Sequence, residues 1–125
     1  MTYRKKIFMR FHYLLTNLLT LVIAHTSNRL LQATMKQSKV IVCQNEIPLK
    51  CTIKALQIAR KYSLLGIFNC APALPLVQLE DAINSCDILC PNETELSVLT
   101  GVSTGTNEDV VHASLIVLDK CPGCK

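Results

Sequence analysis

The chain has 125 residues, half of them apolar and 18% charged, which excludes a disordered tail and leaves room for one small domain burying roughly two-thirds of the surface its unfolded form exposes. With no Trp and only 5% aromatic residues, its core must be mainly aliphatic. Seven of the thirteen basic residues lie ahead of Glu46, the first acid, so six face all nine acids beyond it and that part is net negative by three. This distribution excludes a basic nucleic-acid-binding face in the body of the protein.

Residues 1–35 form a basic and apolar leader. The basic start "MTYRKKIFMR" precedes the apolar run "YLLTNLLTLVIA" at 13–24, a pattern shared by secretory signals, while its lack of acids also suits a mitochondrial transit peptide. The run is too short for a membrane span, which needs ~20 apolar residues. The blander reading is a buried or amphipathic N-terminal helix.

From residue 39 the pattern alternates. "KVIVCQ" is a short β-branched run, which predicts a strand buried on both faces and ending at Gln44, Asn45 and Glu46. Pro48 opens a surface helix with Ile53, Leu56, Ile58 and Ala59 on its apolar side and Lys50, Lys54, Arg60 and Lys61 on the other. A second apolar run closes at Asn69, where Pro72 and Pro75 forbid a continuing strand. Helix is predicted over 78–85, and a third strand over 86–90 ends at Pro91. The last segment, 105–120, reads as a helix with Thr106 or Asn107 as its N-cap and Glu108 and Asp109 in its first turn. Strands separated by helices at this spacing predict an α/β fold with a parallel sheet, flanking helices and right-handed crossovers.

All three strands deliver polar residues at their carboxyl ends: Gln44, Asn45 and Glu46, then Asn69, then Asn92, Glu93 and Glu95. Open parallel sheets bind ligands there. Asn92 and Glu95 also have the spacing of a capping box, a role compatible with facing a crevice. Asn92-Glu93-Thr94 matches a glycosylation sequon, which a position inside a crevice disfavours.

The segments "VIVCQNEIP", "IFNCAPALP" and "CDILCPNETELSVLTG" resemble, in order and spacing, the middle section of the ribokinase branch of the pfkB carbohydrate kinase family. The resemblance covers residues 36–120 and implies part of a Rossmann-like ribokinase fold, incomplete within this chain. It implies ATP-dependent phosphorylation of D-ribose at the 5-hydroxyl. Glu46 matches the acid that hydrogen-bonds ribose, Asn92 the asparagine that contacts ATP near its phosphates, and Glu95 the acid that organises magnesium. The implied small molecules are therefore ribose, ATP and Mg, with a monovalent cation as a further family trait. No nucleic-acid or membrane partner is implied, a homodimer is compatible, and the expected compartment is the cytoplasm.

Two positions depart locally from the family pattern: Asn45 replaces a usual leucine, and Cys70 stands where proline is usual. A larger departure is chemical. The family's catalytic aspartate lies in a Gly-Ala-Gly-Asp segment and its sugar site uses a Gly-Gly-Lys segment, but the four glycines here are neither adjacent nor one residue apart. His12, His25 and His112 offer no replacement base, the first two lying in the leader and the third on a helix surface. The expectation is an internal piece of the family with an unrelated leader and an early stop, inactive alone, or else a non-catalytic remnant serving as an interaction module.

The seven cysteines, Cys43, Cys51, Cys70, Cys86, Cys90, Cys121 and Cys124, are odd in number and lie in apolar segments. They read as thiols packed like small hydrophobes in a reducing compartment. Residues 121–125 form a tail whose C-x-x-C pair falls short of the four ligands of a structural zinc site.

Overall fold

The computed structural model describes Ala33 and residues 35–124. The expectations for the leader, including the 13–24 run, His12 and His25, lie outside the described residues. The elements run β1 (Val40–Gln44), α1 (Leu49–Lys61), β2 (Leu65–Asn69), α2 (Leu76–Ser85), β3 (Ile88–Leu89), α3 (Glu93–Thr100) and α4 (Asn107–Lys120). Among the described residues no helix is long and apolar enough to cross a membrane.

The three strands form one parallel sheet in the order β1-β2-β3. Val42 pairs with Ile67, which pairs with Ile88; one residue on, Cys43 pairs with Phe68, which pairs with Leu89. The 86–90 strand shrinks to two residues, although the ladder continues at both ends through Asp87 N to Gly66 O (2.8 Å) and Cys90 N to Phe68 O (2.9 Å). Pro91 ends it, having no N–H to donate.

Both crossovers carry a helix, and α1 and α2 pack on one another and on the sheet. α1 begins after Pro48 and ends with Arg60 and Lys61 in its last turn, where cations complement the dipole. α2 starts at Leu76, two residues before the predicted start, because Pro75 takes the N-cap position and proline is tolerated at helix entrances. Among the described residues Phe68 is the largest fully buried side chain; Ala55 and Leu56 of α1 and Leu79, Ala82 and Ile83 of α2 belong to the same core. α3 and α4 complete it with Leu96, Leu99, Ala113 and Val117. Gly66 lets α1 approach β2 closely, since a Cβ there would lie 3.2 Å from the Leu56 side chain.

Burial on both faces, expected for the first strand, is not observed. Val40 and Val42 are 47% and 60% exposed, and Leu65 beside them is 40% exposed. These residues alternate with Ile41, Cys43 and Gly66, which face α1, so the helices cover one side of β1 and leave these positions open on the other. Thr52, the one buried polar residue among the described residues, donates from Oγ1 to the Gln44 carbonyl at 3.1 Å and fixes the start of α1 to the end of β1.

Candidate functional site

Parallel strands in sequential order bring their carboxyl ends to one edge of the sheet. With neighbours ~4.8 Å apart, the exits of β1 and β3 are roughly 10 Å from one another. Glu46 lies two residues beyond β1 and is exposed; Asn92 and Glu95 stand at the entrance to α3, three residues beyond β3. The predicted polar edge is therefore formed, but its members do different work.

Asn45 and Asn69 are engaged by the loops. Asn45 donates from its backbone N to Ala71 O (3.1 Å) and from Nδ2 to Pro72 O (2.8 Å), so the exits of β1 and β2 are stitched together. Asn69 Oδ1 accepts from Ala71 N at 3.2 Å. Asparagine in place of leucine at 45 thus finds a carbonyl partner in the neighbouring loop. Gln44 differs: its Oε1 is the only buried side-chain polar atom lacking a hydrogen-bond partner among the described residues, leaving an acceptor without a donor next to Glu46.

Asn92 and Glu95 form the capping box their spacing predicts. Asn92 Oδ1 accepts from Glu95 N (2.8 Å), and Glu95 Oε2 accepts from Asn92 N (2.9 Å). Each side chain keeps one polar end outside the cap: the Asn92 amide nitrogen and the second Glu95 carboxylate oxygen. The helix ends at Gly101, whose φ of 73° is the left-handed C-cap conformation. His112 is exposed on α4, as predicted from its setting.

The electrostatics join the second and third strand exits. Cys70, just past β2, has its thiol pushed up to about 11, first by burial and then by the negative Glu95 carboxylate. Burial alone raises Cys43 to about 11. Because both folded-state values lie above that of an unfolded thiol, near 9, this stability is intact below pH 9 and is lost as pH rises toward 11. The slope is at most about 1.4 kcal/mol per pH unit for each thiol. Thermal melts across this window should fall more steeply for the natural chain than for Cys43→Ala/Cys70→Ala; equal slopes would refute the assignment.

A cleft of about 240 Å³ adjoins Asn92, lined by Pro91, Asn92, Glu93, Leu96, Val110 and Ser114. The sequence reading did not single out Val110 and Ser114; their spacing of one helical turn places them on one face of α4, which only the packing of α3 against α4 turns toward Asn92. Among the described residues no three His, Cys, Asp or Glu side chains gather as a protein-only metal cage. The second Glu95 carboxylate oxygen, which the cap leaves over, is a donor of the type magnesium takes, one or two carboxylates together with waters and substrate phosphates.

A parallel sheet with helical crossovers and a polar edge at its strand exits makes this an α/β protein of the Rossmann-like class. Its segments match known proteins: a profile of the pfkB family carbohydrate kinases matches residues 16–122. The chain belongs to the pfkB family of carbohydrate kinases. It is 34% identical over 86 residues to a deoxyribokinase of Salmonella typhi, covering 69% of this chain and 28% of that protein. Against a ribokinase of Haemophilus influenzae it is 36% identical over 89 residues, covering 71% and 28%. It therefore spans about 28% of the length of these curated relatives. The fold superposes on the structure of Arabidopsis thaliana ribokinase complexed with ribose and ATP with a TM-score of 0.67 at 28% identity, covering 78% of this chain and 30% of that one.

Proposed function

We propose that residues 36–120 are the part of a ribokinase-type sugar kinase that supplies one sugar contact and one side of the nucleotide site. The reading is supported chiefly by the strand order, which puts the exits of β1 and β3, and with them Glu46, Asn92 and Glu95, at the same edge of the sheet. In this reading Glu46 accepts hydrogen bonds from ribose hydroxyls, with the Gln44 acceptor beside it. Asn92 donates from its amide nitrogen to ATP near the phosphates while its oxygen keeps α3 capped. Glu95 holds magnesium through water with the carboxylate oxygen its cap leaves over. When bound, magnesium neutralises charge on the phosphates.

The family reaction, transfer of a phosphoryl group from ATP to the 5-hydroxyl of D-ribose, further requires a base to take the hydroxyl proton and backbone donors around the moving phosphate. A Gly-Ala-Gly-Asp segment supplies both in the family, and the 125 residues contain none. Alone, the chain is expected to bind without turning over; a non-catalytic binding or interaction module is the second reading, favoured by that same missing segment. The cytoplasm is the compartment we assign to either.

Both readings are tested by titrating the purified chain with ribose and with ATP plus magnesium while following backbone amide NMR shifts and ribose 5-phosphate formation. Expected are shifts near Glu46 with ribose and near Asn92 and Glu95 with nucleotide, and no product. Absence of shifts with either ligand at millimolar concentration would sink the proposal, and product formation would refute inactivity of the chain alone.

A further inference from the structure

The turn after α4 carries chemistry that sugar phosphorylation does not use. Cys121, Pro122, Gly123 and Cys124 fold back on the corner between α2 and β3. Gly123 N donates to Asn84 Oδ1 at 3.1 Å. A Cβ at Gly123 would collide with the Asn84 carbonyl, so glycine is what permits this approach. Arg60 braces the other side of the corner, donating from Nη2 to the carbonyls of Asn84 (3.1 Å) and Cys86 (3.5 Å).

This packing sets Cys124 Sγ 3.7 Å from Cys86 Sγ, although the two residues are 38 apart in sequence. Neither is a surface thiol: Cys86 is fully buried and Cys124 is 6% exposed. Cys121, the C-x-x-C neighbour of Cys124, is itself buried in the core. Two thiols fall short of a metal site, which takes three or four protein ligands, but two are what a disulfide requires. The sulfurs need close only from 3.7 Å to about 2.05 Å.

We propose that Cys86 and Cys124 are a redox modification site, forming a reversible disulfide when the protein meets a peroxide. In the first step Cys124, the more accessible thiol, takes one oxygen from hydrogen peroxide and becomes a sulfenic acid while one water leaves. In the second, the Cys86 sulfur attacks the Cys124 sulfur, the S–O bond breaks, and the hydroxide departs with the Cys86 proton as a second water. Two thiols lose two electrons in total and one peroxide gains them. A dithiol reductant restores both thiols by exchange. Its hydrogen bond with Cys124 and its burial push the Cys86 thiol up, which disfavours Cys86 as the thiol that meets peroxide first.

The bond would close a covalent loop around β3, α3 and α4, and therefore around Asn92 and Glu95. Oxidation would tie the helix that begins at Asn92 to the corner of the sheet without touching either side chain. This holds whether or not the segment binds nucleotide.

Peptide mapping of the full chain decides the matter. Trypsin cuts after Lys61 and Lys120, so Cys86 falls in peptide 62–120 while Cys121 and Cys124 share peptide 121–125. After peroxide treatment, blocking of remaining thiols and digestion without reductant, the two peptides are expected as one species, with Cys86 and Cys124 identified as the linked residues by fragmentation. Dithiothreitol should separate them. Cys121→Ser should retain the link and Cys124→Ser should lose it. The thermal midpoint of the natural chain should rise on oxidation by roughly 10 °C. Recovery of 121–125 alone, whether closed on itself through Cys121 or with both thiols blocked, would overturn the proposal, and so would a link at Cys70 or Cys90. The mapping of the natural chain needs no variant to fold.

Discussion

Phe68→Ala should destabilise the chain by about 3–5 kcal/mol, the usual cost of emptying a large aromatic site in a core. Phe68 is fully buried and stands mid-sheet, with Cys43 and Leu89 on either side in register. Among the described residues no other aromatic side chain is fully buried, so none of them is a ready replacement of similar size. Small domains are stable by only about 5–15 kcal/mol, so this one ring accounts for much of the total. Urea denaturation is the measurement: the midpoint should drop sharply with an unchanged m-value. A loss below about 1 kcal/mol would mean that α1 and α2 do not close over the sheet as described.

The second large effect separates the cap that Asn92 forms from the ATP contact proposed for it. Asn92→Ala removes the cap of α3 and should cost about 1 kcal/mol. Asn92→Ser restores a capping oxygen, since serine is nearly as good at this position, but it has no amide nitrogen to offer a phosphate. Stability should then be close to that of the natural chain, while apparent affinity for ATP with magnesium falls about 10- to 100-fold, as for loss of one hydrogen bond to a charged group. Chemical denaturation and nucleotide titration on the same samples provide both readouts. Unchanged nucleotide affinity in Asn92→Ser would make Asn92 a helix cap and nothing more.

Much of this architecture is legible in the amino-acid order. The β-branched run at the first strand, the prolines at 48, 75 and 91 and the Thr106 cap each act locally, so their effect needs no knowledge of distant residues. The reciprocal bonds of Asn92 and Glu95 are of the same kind. Less legible is anything decided by which side of the sheet a helix takes. Val42 looks like a core residue by composition and is open because α1 and α2 share the other face. The same applies to the candidate site. Its polar edge follows from strand order, yet Asn45 and Asn69 turn out to serve their loops, and the influence of Glu95 on Cys70 depends on how α3 docks. The Cys86–Cys124 contact is the extreme case, because a separation of 38 residues leaves no periodic trace and the visible C-x-x-C pattern points to a different pair.

The stitch between Asn45 and the Ala71-Pro72 turn has a consequence for how this protein can change over generations. Since two loops from different crossovers share these bonds, a substitution at position 45 alters the setting of the turn at 71 and 72 as well as that of Glu46. Their effects should be non-additive. A leucine at 45 would leave the Pro72 carbonyl without its donor, so the order in which mutations arrive at this edge matters, and the setting of Glu46 cannot drift one loop at a time.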